Sequence, residues 1–214
     1  MSASDVLGEE VCSSGSVLVR DSLQAPGGFV LPLLLKHALR QCDKVIFVAA
    51  EQGWGHYRQV MRKLGVDLEG AKENAQIEFI SALSNCSEWS AHGGLLEELY
   101  KCIAASIAST AASKTGGRIS LIVDDLTALC TAAGESRHQA AWIIPSARGL
   151  CSKLQVPFRF ACLAHQDVDD DRWLTSTVAH SAHALVSVES LGSAASHDIH
   201  GKVTIAYRNC MPAA

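Results

Sequence analysis

Aromatic side chains are scarce in this 214-residue chain, 6% of the total against 48% hydrophobic residues overall. That balance speaks against an aromatic-rich β-sandwich and suits Ala-, Leu- and Val-rich helices packed on a sheet. An excess of positive charge is lacking too. Lys and Arg number 18, Asp and Glu 22, and the net charge is −4. No global basic field draws nucleic acid, so any such contact must come from a local patch or a partner chain. The eight cysteines include no CxxC pair, which excludes zinc-ribbon and thioredoxin readings. Several lie in apolar runs, and reduced thiols in a cytosolic or nuclear protein are expected. No apolar run approaches the ~20 residues of a membrane span. Met1-Ser2-Ala3-Ser4-Asp5 lacks a basic region followed by an apolar one, so no signal peptide is expected. GxSxG, GxGxxG and HExxH are all missing, and with them the usual nucleophile elbow, dinucleotide loop and zinc helix.

What is present is alternation. Residues 1–14 are small and polar and are expected to be loose; 15–214 form one domain. Strands are predicted at 16–20, 45–49, 77–80, 119–123, 158–164 and 184–188 from short, mostly apolar runs. Helices are predicted between them. The stretch 29–40 is apolar almost all round, a core or contact helix with Pro32 in its first turn. Tyr57, Val60, Met61 and Leu64 follow i, i+3, i+4, i+7 spacing. Leu95, Leu96, Leu99, Ile103 and Ile107 mark a longer helix, and 140–154 carries a stripe interrupted by Pro145. Val203, Ile205 and Tyr207 alternate with polar neighbours, the pattern of a half-buried edge strand. The sum is an α/β fold with a mostly parallel sheet, helices on both faces and an antiparallel C-terminal edge.

Two features give this frame a chemical meaning. A phosphate-binding loop reads GxxxxGK[ST] between a strand and a helix. The same frame over 22–29 begins at Ser22, keeps its second glycine as Gly27, and places Gly28 and Phe29 where the lysine and hydroxyl belong. The lysine supplies positive charge to terminal phosphates and the hydroxyl holds magnesium; glycine and phenylalanine do neither. Pro26 also removes a backbone N–H. On the loop alone, an ordinary glycine-rich turn is an equal reading. The second feature is the apolar strand ending in Asp124-Asp125, the form of a Walker B strand whose Asp holds magnesium. A loop after the first strand and an acidic strand end further on occur in the order of RecA-type ATPases.

The histidine pairs His180/His183 and His197/His200 have i, i+3 spacing, which can serve zinc. No cysteine or glutamate completes either set, and no metal site is expected. Asp167, Asp169, Asp170 and Asp171 lack the EF-hand pattern and read as a solvated loop.

Five stretches stand out. They are Gly27-Gly28-Phe29-Val30-Leu31 with the leucines after it, and His56-Tyr57 followed by Lys63-Leu64-Gly65. Then come Val123-Asp124-Asp125-Leu126-Thr127, His165 with Asp167, and Asp198-Ile199-His200-Gly201-Lys202-Val203. All five resemble stretches of the family of the sixth Elongator subunit, in that family's order across nearly the whole chain. Pro32 in place of a usual histidine, Trp54-Gly55 in place of Phe-Ser, and segment 141–149 depart from it.

The resemblance implies a RecA-like, non-catalytic subunit without cofactor or catalytic residue. Its partners would be two RecA-like paralogues in a hetero-hexameric ring and the rest of Elongator. The ring binds tRNA and supports wobble-uridine modification, in the cytoplasm and also the nucleus. Arg137, after the Walker B-like strand, is the tRNA-contact candidate, with a solvated arginine as the plain alternative. The competing functions are an active NTPase using Asp124 or Asp125 on magnesium, and a metal-dependent hydrolase built on the His and Asp loops.

Overall fold

The computed structural model describes residues 7–8, 11–12, 15–41, 43–82, 84–85, 89, 94–113, 117–167, 172–191 and 201–208, with 135–137 and 172 in backbone only. Seven strands form one sheet in the order β3-β2-β4-β5-β1-β6-β7. They are β1 (Ser16–Asp21), β2 (Lys44–Ala49), β3 (Ile77–Ser81), β4 (Ile119–Val123), β5 (Phe158–His165), β6 (Ala184–Glu189) and β7 (Lys202–Tyr207). Every pairing is parallel except the antiparallel β6–β7 edge. β2 and β4 lie inside the sheet, and their mostly apolar runs are buried on both faces.

Alternate strand residues feed two core layers. Val17, Val19, Phe47 and Ile122 face one side, with α1 (Val30–Arg40), α2 (Trp54–Lys63) and α3 (Leu68–Glu73). Leu18, Ile46, Leu121 and Phe160 face the other, with α4 (Leu95–Ala112), α5 (Leu126–Ala133), α6 (Ala140–Lys153) and α7 (Arg172–Ser181). α1 is buried nearly all round within this chain, and even Lys36 is covered, its Nζ donating to the Leu64 carbonyl at 2.7 Å.

Three expectations need correction. α6 runs unbroken through Pro145. The proline forfeits one helical bond, while burial of Ile143, Ile144, Ala147 and Cys151 on either side holds the helix. In the N-terminal stretch expected to be loose, Leu7, Val11 and Cys12 are buried against the α1 layer, and Arg159 donates to the Cys12 carbonyl. Their i, i+4, i+5 spacing is one helical face, too short to stand out in a polar segment. β7 is less covered than its alternation suggests, since only Ile205 is half-buried. Among the described residues no helix is long and apolar enough to cross a membrane.

At the amino ends of the strands a buried ion cluster ties the sheet together. Asp43 is 2% exposed and accepts from Ser120 Oγ at 2.5 Å and Arg118 Nε at 3.2 Å. Arg159, itself 7% exposed, pairs with it at 2.5 Å.

Candidate functional site

In open parallel sheets, ligands meet the carboxyl ends of the strands. Here those ends carry Asp21 on β1, Asp124 and Asp125 after β4, and His165 on β5. The β1–β5 register places Asp21 directly beside His165.

Asp21 lies under the glycine-rich turn, and its carboxylate accepts the Gly27 N–H at 2.6 Å. A Cβ on Gly27 would stand 3.0 Å from the Asp21 Cβ and 3.2 Å from Val188 and Val19 side-chain carbons. Glycine is therefore a packing requirement there. Ser22 and Ala25 close a tight turn, Ala25 N donating to Ser22 O at 3.0 Å. Gly28 is different, because a Cβ there meets nothing within 4 Å. The position that the frame assigns to a lysine is open in space. Phe29 caps the start of α1 without a side-chain hydrogen bond and is 47% exposed. Leu23 N donates to Asp167 Oδ2 at 2.9 Å, which holds that exposed carboxyl below its usual range and pins the turn to the end of β5.

The other Asp21 oxygen accepts from His165 Nδ1 at 2.6 Å, and Asp125 Oδ2 accepts from His165 Nε2 at 3.1 Å. The two carboxylates, Asp125 first and then Asp21, push the imidazole up to about 10, so it stands protonated with both nitrogens donating. Asp125 also caps α5, its Oδ1 accepting from Thr127 N at 2.8 Å and Ala128 N at 3.0 Å. Its φ of 118° is a strained value for a non-glycine residue; the cap and the imidazolium hold it there.

Asp124, 2% exposed, faces the other way. Oδ1 accepts the amides of Ala50 at 2.5 Å and Glu51 at 2.9 Å; Oδ2 accepts Gln52 N at 3.1 Å and the Tyr57 hydroxyl at 2.7 Å. A carboxylate offers about four acceptor positions, and all are taken. Burial raises the Asp124 carboxyl, and the Tyr57 and amide bonds oppose that rise. Burial first, and Asp124 second, drive the Tyr57 phenol far above its ordinary range. His56 is exposed and meets the Tyr57 ring edge-on at 5.3 Å.

The sequence named Gly27, Asp124 and Asp125 as degenerate nucleotide-site positions and Tyr57, His165 and Asp167 as motif positions of the resembling family, and the structure brings all six to the carboxyl edge of the sheet. The sequence did not single out Asp21, the residue that links loop, histidine and sheet; an acid closing a strand before a glycine-rich turn was the available signal. Gly201 lies apart, at the start of β7, where a Cβ would approach the Glu189 carbonyl oxygen to 2.9 Å. His200 lies outside the described residues, and of Arg137 only the backbone is described, in a 3-10 turn at Gly134–Gln139. Among the described residues no three His, Cys, Asp or Glu side chains gather to hold a metal.

The family model described as Elongation complex protein 6 matches residues 4–94 and 89–213. Elongator complex protein 6 of Xenopus laevis is 26% identical over 199 residues, covering 84% of this chain and 74% of that protein. The Homo sapiens protein of the same name is 24% identical over 214 residues, covering 91% and 80%. Among solved structures, the KaiC-like protein PH0186 of Pyrococcus horikoshii superposes with a TM-score of 0.59 at 13% identity, over 91% of this chain and 79% of that one. The uncharacterized protein PH0321 of Pyrococcus horikoshii gives 0.68 at 10% identity, over 91% and 83%. These two likenesses establish the fold, a RecA-like parallel sheet with an antiparallel edge.

Proposed function

The chain belongs to the Elongation complex protein 6 family, and from that premise we propose that it is a non-catalytic, RecA-like subunit of Elongator. It works in a hetero-hexameric ring with two RecA-like paralogues, binds tRNA as part of that ring, and supports wobble-uridine modification in the cytoplasm and nucleus. The observation that carries the reading is Asp21. Its carboxylate takes the Gly27 amide, one of the groups that cradle phosphate in an NTPase loop. An incoming triphosphate would meet this anion, with no lysine at Gly28 to offset it. Asp124 supports the same reading, because its acceptor positions are spent within the fold and none remains for magnesium.

The test is co-expression with the two paralogous subunits, followed by mass determination of the purified assembly. A stable hetero-oligomer of all three is expected, and a chain that stays monomeric beside both overturns the proposal. ATP turnover by the isolated chain that disappears in Asp124→Ala would establish an NTPase instead.

A further inference from the structure

On the α7 face of the sheet, β6 and β7 leave a groove of about 350 Å³. Arg20, Ser176, His180, His183, Leu185 and Arg208 line it, and none of the described lining residues is acidic. In a chain of net charge −4, this is a local reversal of sign.

Arg20, Arg208 and His180 are held in place by the fold. Arg20 stands on β1 opposite Ser187 of β6, and its NH2 donates to Ser187 Oγ at 3.2 Å. That bond uses one of the five guanidinium N–H groups, and its Nε has no hydrogen-bond partner among the described residues. Arg208 caps α7, donating to the carbonyls of Ala179 and His180, with NH2 2.8 Å from His180 Nδ1. A guanidinium cannot accept, so His180 Nδ1 accepts and the ring proton sits on Nε2. The exposed His180 thus offers an Nε2–H donor beside the Ser176 hydroxyl. The His183 ring packs against Gly15, and its buried Nδ1 has no hydrogen-bond partner among the described residues.

We propose that this groove is an anion site for a phosphate group, bound by Arg20 and Arg208 with His180 and Ser176 as neutral donors. Guanidinium and hydroxyl donors on an apolar floor of Leu185 and Ala206 match phosphate chemistry. The site does not rest on the ring assignment. The phosphate could belong to a free or monoester phosphate or to a polynucleotide backbone, which the test separates.

The test follows backbone-amide NMR resonances of the full chain during titration with inorganic phosphate, against sodium chloride at matched ionic strength. Shifts confined to β1, α7, β6 and β7, saturating with a Kd of about 1 mM, are expected. Arg20→Gln should weaken binding at least about five-fold and His180→Gln about two-fold; Arg208 is left intact because it caps α7. A short uridylate oligomer that binds the same groove more tightly, with steep loss of affinity on added salt, assigns the phosphate to a polynucleotide. An oligomer no better than inorganic phosphate assigns it to a free or monoester group. Absence of groove shifts up to about 20 mM phosphate, a footprint elsewhere, or an unchanged Arg20→Gln affinity overturns the proposal.

Discussion

At the amino ends of the strands Asp43 faces two guanidinium groups, whereas at the carboxyl ends Asp21 and Asp125 share a single imidazolium. Guanidinium charge persists at every accessible pH, so the first cluster is a permanent tie between β2, β4 and β5. The second depends on a proton. Asp124, close by, is met by neutral donors alone. Buried carboxylates are common to both ends; what differs is whether their compensation can be titrated away.

The sharpest way to break this comparison is Arg159→Met. It leaves buried Asp43 with Arg118 and the Ser120 hydroxyl, and a loss of about 3–5 kcal/mol is expected, read by urea denaturation. A loss no greater than that from any change at the carboxyl ends would erase the contrast. Asp124→Ala follows, at about 3 kcal/mol, because three amides and the Tyr57 hydroxyl lose their acceptor together.

His165→Gln should cost about 2 kcal/mol near neutral pH and abolish a pH dependence that the parent shows. The histidine is raised from 6.5 to about 10 in the folded chain. Its stabilisation is therefore complete below about 6.5 and is lost as pH rises toward 10. Denaturation at a series of pH values checks this, and a parent profile flat across that window would contradict the charged clamp.

The smallest effect belongs to Gly28→Lys. The site is open, so stability should change by no more than about 0.5 kcal/mol. Equilibrium dialysis should find no gain in ATP binding, because Asp21 still holds the Gly27 amide.

Much of the carboxyl-end site was legible from the sequence. Apolar runs gave the strands, the phosphate-loop frame named Gly27, and the Walker B-like strand end named Asp124 and Asp125. The frame also named what was missing at Gly28 and Phe29. It could not reveal the Asp21–His165 pair, because the two residues are 144 apart in sequence and the β1–β5 pairing joins them. The Asp43–Arg159 tie was hidden for the same reason, being made by strand order. α3, α5 and α7 escaped notice because short helices leave too few turns for periodicity to show, and Pro145 misled because local propensity lost to burial.

The Asp21–His165–Asp125 clamp also bears on mechanics. In nucleotide-driven proteins the terminal phosphate holds a loop in one position and releases it on hydrolysis, so that junction is the part that moves. Here the anion is a side chain of the sheet itself and cannot depart. The loop after β1, the end of β5 and the start of α5 are thus joined by side-chain bonds of the fold itself.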